Sequence, residues 1–150
     1  MCVTKISRTA EIEVCAPAQA AFDIVAADIL TDEAPLRVGF HWQQTIVHER
    51  SVCRTDWIVT ELREPHVLEQ TMGHLCLARR REAMGGERWQ FEETPDGVTV
   101  VSLRAWHSWP GMRGRLERLF SHRHGAAGVS LRKRLASVQF RAERGSPRPA

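Results

Sequence analysis

The sequence contains no tyrosine, and only two of its 21 basic residues, Lys5 and Lys133, are lysines. Without a phenol side chain, no site in this chain can use tyrosine as an acid or as a hydrogen-bond donor. All the other basic residues are arginines, but 18 acidic residues reduce the formal net charge to +3. A charge this small does not by itself indicate nucleic acid, and we expect no nucleic-acid partner.

Long apolar runs are also absent from the sequence. No segment is long enough to cross a bilayer, so we expect no stable membrane insertion. The first eight residues, MCVTKISR, have no apolar stretch typical of a secretory signal, which predicts a cytoplasmic protein. The 150 residues, with 26% charged and 43% hydrophobic, are typical of one soluble globular domain.

The sequence lacks the short motifs of metal and nucleotide sites. The four cysteines are widely spaced and form no Cys-x-x-Cys, so we expect reduced thiols, with Cys15 and Cys76 in the core. His122 and His124 would lie about 200° apart on a helix, without a carboxylate or thiol at ligand spacing. No glycine-rich phosphate loop and no Gly-x-Ser-x-Gly occurs. We therefore predict neither a metal nor a cofactor.

Alternating apolar and polar residues predict a series of antiparallel strands. A strand over 8–15 is followed by Pro17 and by a helix over 18–28, whose buried face would carry Ala18, Phe22 and Val25. Glu64-Pro65 and Pro95-Asp96-Gly97 are typical turn sequences, and the short links favour pairing between neighbours. The predicted strands that follow the helix are 38–49, 52–62, 66–79, 80–93 and 98–109.

The periodicity becomes helical from Met112 to about Phe140. Gly125–Gly128 either interrupts this helix or leaves room for a ligand beside it. The tail 145–150 is predicted to be disordered, which leaves one domain over 1–144. An α+β layout of this kind, with one long helix on a curved sheet, leaves an apolar cavity between them. The predicted apolar stripe comprises Met112, Leu116, Leu119, Phe120, Ala127, Leu131, Leu135 and Val138.

Four segments carry a known family pattern: 12–28, 57–68, 89–100 and 130–135. They resemble the START-like (SRPBCC) helix-grip proteins, within them the polyketide cyclase/dehydrase and lipid-transport branch, over residues 8–143. These are mostly fold-forming positions, so the resemblance concerns architecture more than chemistry. The family often has a tryptophan soon after the first helix. Here the loop 28–37 has no aromatic residue, and Phe40 and Trp42 come later.

The resemblance implies a curved antiparallel sheet wrapped around a long C-terminal helix, with an internal cavity. Relatives bind lipids, sterols, polyketides and other apolar molecules, which some carry and others cyclise or dehydrate. We therefore expect a polyketide cyclase, aromatase or dehydratase-like enzyme of secondary metabolism, without metal or nucleotide. One alternative is a non-catalytic carrier or chaperone for a lipid, quinone or biosynthetic intermediate. Another is a partner-binding module that uses the basic C-terminal helix.

Four residues are candidates for the chemistry of such an enzyme. Cyclisation needs a donor that stabilises an enolate oxygen and a group that moves protons near neutral pH. In the strand 98–109, Arg104 and His107 lie on opposite faces, so either Arg104 is an oxyanion partner or His107 is the acid/base. Glu69 and His74 are further acid/base candidates. For all four, a solvent-facing position is the alternative interpretation.

The ligand and partner predictions follow the aromatic residues and the basic helix. We expect an apolar small molecule or polyketide-like substrate as the ligand. Arginines of the C-terminal helix could contact an acyl carrier protein, or simply face solvent, and the chain is expected to be a monomer or homodimer. The predicted ligand-binding residues are Phe40, Trp42, Trp57, Trp89, Phe91, Trp106, Leu119 and Ala127.

Overall fold

The computed structural model describes residues 3–29, 35–48, 51–76, 81–110 and 126–145. Within these ranges the predicted order of strand, helix, successive strands and C-terminal helix is confirmed. The elements are β1 (Val3–Val14), α1 (Ala18–Ile29), β2 (His41–His48), β3 (Ser51–Arg63), β4 (Val67–Cys76), β5 (Arg81–Glu93), β6 (Thr99–Pro110) and α2 (Ala126–Arg144).

All six strands form one antiparallel sheet in the order β1-β6-β5-β4-β3-β2. Consecutive strands from β2 to β6 are neighbours, as their short links predict. β1 closes the other edge by pairing with β6 over its whole length, from Val3 opposite Pro110 to Val14 opposite Thr99. This pairing explains why β1 begins five residues before the predicted strand, since a backbone partner is available along all of β6.

The two faces of the sheet differ sharply in burial. We call the face under the helices the concave face; Leu68, Trp89 and Leu103 lie on it and are at most 2% exposed. Side chains alternate along a strand, so the residues next to these, such as Arg88 and Arg104, point to the opposite side of the sheet, which we call the outer face. The core therefore lies between one face of the sheet and the two helices, which is the predicted α+β arrangement.

Helix α2 covers the concave face with the predicted stripe. Leu131, Leu135 and Val138 are buried, as predicted, and Ala142 extends the stripe beyond the predicted end of the helix. The stripe residues from Met112 to Phe120 fall outside the described residues. Neither described helix combines the length and the apolar character that crossing a membrane requires.

Polar contacts fix α2 against the N-terminal elements. Nη1 of Arg141 donates to both carboxylate oxygens of Asp28 on α1, each at 2.9 Å. Oε1 of Glu143 accepts from the backbone N–H of Cys15 at 2.9 Å. Cys15 is exposed, so its predicted core position is wrong. The buried position at this end of β1 belongs to Val14, and Cys15 follows the strand on the opposite side.

Candidate functional site

Cross-strand register arranges the concave face in successive rows. Leu68, Trp89 and Leu103 are direct neighbours on β4, β5 and β6 and form an apolar row in the core cluster to which both helices contribute. Two residues further along, Gln70, Glu87 and Ala105 form the next row. The face thus changes from wholly apolar to polar over one step of the pleat, about 7 Å along the strands.

Glu87 is the centre of this polar row. Its carboxylate side chain is only 6% exposed, so the charge loses most of its hydration and must be compensated by a partner. Arg134 of α2 supplies the compensation through two hydrogen bonds, from Nη1 to Oε2 at 2.7 Å and from Nη2 to Oε1 at 3.0 Å. The guanidinium also lies over the Trp89 ring, 5.2 Å from its centroid, which adds a cation–π contact.

The surroundings of Glu87 keep it ionised. Burial raises the pKa of this carboxyl, but hydrogen bonds and charge from Arg134, with further hydrogen bonds from Trp89 and Gln70, outweigh burial and leave the pKa below its ordinary value. Oε1 alone accepts from Gln70 Nε2 at 2.9 Å, Trp89 Nε1 at 3.0 Å and Arg134. Glu87 is therefore a held anion, not a proton donor at neutral pH.

Gln70 extends this network to the edge of the sheet. Its Nε2 donates to Glu87, while its Oε1 accepts from Trp42 Nε1 at 3.0 Å. The two contacts use the amide in opposite senses and so define which end is oxygen and which is nitrogen. Trp42 on β2 is thereby fixed to α2 through three hydrogen-bonded side chains.

The next row on the concave face is rich in aromatic residues. Trp42, Trp57, Met72, Gly85 and His107 are successive cross-strand neighbours on five strands, from β2 to β6, and we call them the tryptophan row. The indoles of Trp42 and Trp57 stack, with centroids 5.5 Å apart and ring planes inclined by 7°. The Nε1 atom of Trp57 is buried and has no hydrogen-bond acceptor among the residues that the structure describes.

Gly85 separates Met72 and His107 in the tryptophan row and allows their side chains to approach each other. A Cβ at this position would lie 3.0 Å from the Met72 methyl carbon and 3.2 Å from His107 Nδ1. Because Gly85 has no side chain, the Met72 methyl group and the His107 ring can both lie close to its backbone. His107 is on the concave side of β6 and is exposed.

Register also settles which face of β6 looks towards the helices. Val101, Leu103 and Ala105 lie on the concave face, so His107 shares that face and Arg104 does not. Arg104 is exposed on the outer face, where its Nε donates to Ser7 Oγ at 3.1 Å. The sequence alone left this choice open.

Glu69 and Trp106 also lie on the outer face. Glu69 accepts from Arg88 at 2.9 Å, and the same Arg88 nitrogen donates to Glu61 at 2.6 Å. The hydrogen bond from Arg88, together with the charges of Arg88 and Arg63, lowers the pKa of Glu61 below its ordinary value. The Trp106 ring lies against Gly86, whose missing Cβ makes room for it.

The other predicted site residues divide between the core and the undescribed part of the chain. Phe91 is buried beside Trp89 and meets Phe22 edge to face, with centroids 5.6 Å apart. Phe40 is half-buried against the same core. Leu119 lies outside the described residues. The backbones of His74 and Ala127 are placed in β4 and α2, but their side chains are not described.

Sequence reasoning missed the network of Gln70, Glu87 and Arg134. A signal for Glu87 was present, since it shares its strand parity with Trp89 and Phe91, two aromatic residues typical of a core. A carboxylate on such a face requires a partner. Its partner comes from a helix 47 residues later, a pairing that no local pattern indicates.

Comparisons with known proteins support the fold. No protein-family model and no curated protein matches the sequence. The Mll3558 protein from Rhizobium loti has a similar crystal structure, with a TM-score of 0.68 at 13% identity over 92% of this chain and 99% of its own. The di-domain ARO/CYC StfQ from the steffimycin biosynthetic pathway matches with a TM-score of 0.57 at 19% identity, over 92% of this chain and 45% of its own.

A further similar structure is DynU16, from the dynemicin biosynthetic locus. It matches with a TM-score of 0.53 at 18% identity, over 94% of this chain and 48% of its own. At these identities the likeness is one of fold. It confirms the helix-grip fold, a curved antiparallel sheet with a C-terminal helix, that the sequence predicts.

Proposed function

We propose that this protein binds a largely apolar small molecule against the tryptophan row and acts on it as a polyketide cyclase/dehydratase-like enzyme. The observation that carries the proposal is the row itself. It places two stacked indoles, a methionine and a histidine side by side on the concave face. Flat aromatic surface binds unsaturated apolar molecules, and histidine is the side chain type that most readily exchanges protons near neutral pH.

The proposed residues have distinct roles. His107 is the acid/base candidate, and Trp42, Trp57 and Met72 provide the binding surface. Gln70, Glu87 and Arg134 are positioning residues, because their hydrogen bonds hold Trp42 in place without reaching a substrate. His74 remains a second acid/base candidate on β4. Arg104 and Glu69 lie on the outer face and are not part of the proposed site.

The proposed reaction is an aldol cyclisation followed by dehydration. A base removes a proton from a methylene group between two carbonyls, and the resulting enolate carbon bonds to a ketone carbon of the same chain. The alkoxide formed takes up a proton. Loss of that hydroxyl as water, with a proton from the neighbouring carbon, gives the unsaturated ring. Every step is a proton transfer or a carbon–carbon or carbon–oxygen bond change, so no oxidant is required.

A substrate of this kind would arrive on an acyl carrier protein. Arg132 and Lys133 are exposed on α2, directly next to Arg134, which reaches the concave face. Their positive charge suits an acidic carrier domain at this end of the site.

The experiment that tests the enzyme adds the protein to a minimal polyketide synthase that releases an unreduced poly-β-ketone. We expect one cyclised, dehydrated product to replace the mixture formed spontaneously, as measured by liquid chromatography and mass spectrometry. His107→Ala should restore the spontaneous mixture. An unchanged product pattern with wild-type protein would contradict the enzyme.

A carrier is the second candidate, and one observation favours it. Glu87 is the only buried acidic residue among those described, and its donors hold it as an anion. A site with few groups that exchange protons suits binding without reaction. In the synthase experiment, a carrier would retain an apolar product on the protein without changing its structure.

A further inference from the structure

We infer that the indole N–H of Trp57 is the hydrogen-bond donor of a ligand subsite that takes a neutral carbonyl oxygen. The inference rests on the proposed function and adds to it a chemical requirement for the ligand. It assigns an oxygen-binding role to a residue for which the sequence suggested only apolar contact.

Trp57 carries a buried donor that the protein leaves without an acceptor. Buried N–H groups are nearly always paired in folded proteins, because an unpaired one loses its water without replacement. In the described part of the chain, Trp57 Nε1 is the only buried side-chain nitrogen or oxygen without such a partner. Trp57 lies in the tryptophan row, against which the ligand is proposed to bind.

The neighbouring indole shows that the fold can satisfy such a group. Trp42 stacks on Trp57 almost in parallel, and its Nε1 donates to Gln70 Oε1 at 3.0 Å. The two rings therefore form one rigid stack. Within it, the N–H of Trp42 has an acceptor in the protein, whereas the N–H of Trp57 has none among the described residues. Since the stack holds the Trp57 ring, the N–H cannot turn towards another acceptor without breaking that contact.

Charge favours a neutral oxygen over a carboxylate at this position. In the adjacent row of the concave face, the guanidinium of Arg134 already forms two hydrogen bonds to Glu87. A second buried anion on the same face would lose its hydration, have no free arginine partner there, and be repelled by the Glu87 carboxylate. A ketone or quinone carbonyl loses less hydration free energy than a carboxylate on leaving water, and it accepts a hydrogen bond from the indole N–H.

The test uses 9-fluorenone and fluorene, two planar tricyclic molecules that differ in the carbonyl oxygen. Both are titrated against ¹⁵N-labelled wild-type protein and against Trp57→Phe, which keeps a stacking ring and removes the N–H. The Trp57 indole signal is assigned by its absence from the variant spectrum. Trp106→Phe is the matched control, because Trp106 lies on the outer face.

We expect Trp57→Phe to bind fluorenone about three- to tenfold more weakly than wild type, the effect of one neutral hydrogen bond. Fluorene affinity should be the same in both proteins, and Trp106→Phe should bind both probes as wild type does. Fluorenone, but not fluorene, should move the Trp57 indole proton downfield. This last readout needs only wild-type protein and decides the matter if the variant fails to fold.

Two outcomes would overturn the inference, and they are distinguishable. If wild type binds both probes and Trp57→Phe weakens both equally, the apolar site exists but the indole donor has no role in it. If wild-type protein binds neither probe, the proposed apolar site itself is wrong, and the subsite is wrong with it.

Discussion

Arg134 on α2 and Glu87 on β5 form a two-point ion pair, at 2.7 and 3.0 Å, across the interface between helix and sheet. The carboxylate is almost completely buried, whereas the arginine side chain is 43% exposed. The same carboxylate receives Gln70, and through it Trp42. The position of the helix and the position of the stacked indoles are therefore linked through one buried charge.

Removing Arg134 should destabilise the protein. Arg134→Gln leaves the Glu87 charge buried without its main partner, and the partial exposure of the pair reduces the penalty below that of a fully buried one. We expect a loss of about 2 kcal/mol in the free energy of unfolding, measured by urea titration. Arg132→Gln, an exposed position on the same helix, is the control and should change stability by less than about 0.5 kcal/mol. Equal effects of the two substitutions would contradict a structural role for the pair.

Stability should depend on pH through Glu87. Its folded-state pKa lies below the ordinary value of 4.5, so its ionised form stabilises the fold above that pH. This contribution is lost as the pH falls through the lowered folded pKa, because the carboxyl becomes protonated. The stability difference between wild type and Glu87→Gln should therefore shrink on acidification below about pH 4.5. Glu92→Gln, at an exposed position on the same strand, should show no such trend, and a constant wild-type to Glu87→Gln difference would count against the held anion.

Gly86 should not tolerate a side chain. A Cβ there would collide with the Trp106 ring and lie 2.7 Å from the backbone oxygen of Gln70. We expect Gly86→Ala to lower the free energy of unfolding by about 1–3 kcal/mol, the usual cost of overpacking. Gly73→Ala is the matched control on β4, because a Cβ there has no atom within 4 Å. Comparable stability of the two variants by thermal denaturation would show that Trp106 moves aside freely.

The two faces of the sheet should separate function from stability. Arg104→Ala and Glu69→Gln alter the outer face and should leave fluorene binding and any cyclisation unchanged, with stability effects of about 1 kcal/mol or less. His107→Ala should abolish cyclisation while the protein stays folded, as judged by circular dichroism. Loss of cyclisation in Arg104→Ala with full activity in His107→Ala would reverse the assignment of the faces.

Local patterns predicted the fold well because they record burial directly. Alternation identified the strands, and the spacing of Leu131, Leu135 and Val138 identified the buried side of α2. Alternation could not choose a face for β6, because apolar residues occur on both: Val100 is half-buried on one and Val101 fully buried on the other. Only the pairing of β6 with β5, whose buried face is marked by Trp89 and Phe91, decides it.

The candidate site was only partly predictable for the same reason. Trp42 and Trp57 are recognisable as aromatic residues in strands, but their stacking depends on the register between β2 and β3. The pairing of Glu87 with Arg134 depends on how α2 crosses the sheet. Such long-range relationships leave no trace in local periodicity.

The most direct measurement is the ligand content of the tryptophan row. Freshly purified wild-type protein, Met72→Lys and Thr71→Lys would first be exposed to fluorene and freed of the unbound excess. Each protein would then be denatured and extracted with organic solvent, and the extracts compared by mass spectrometry. Met72 lies in the row and Thr71 beside it on the outer face, so the two lysines differ only in the face they charge. We predict a stoichiometric apolar molecule in wild type and Thr71→Lys and its loss in Met72→Lys. Empty extracts from wild-type protein, or equal ligand content in both lysine variants, would contradict binding at the concave face.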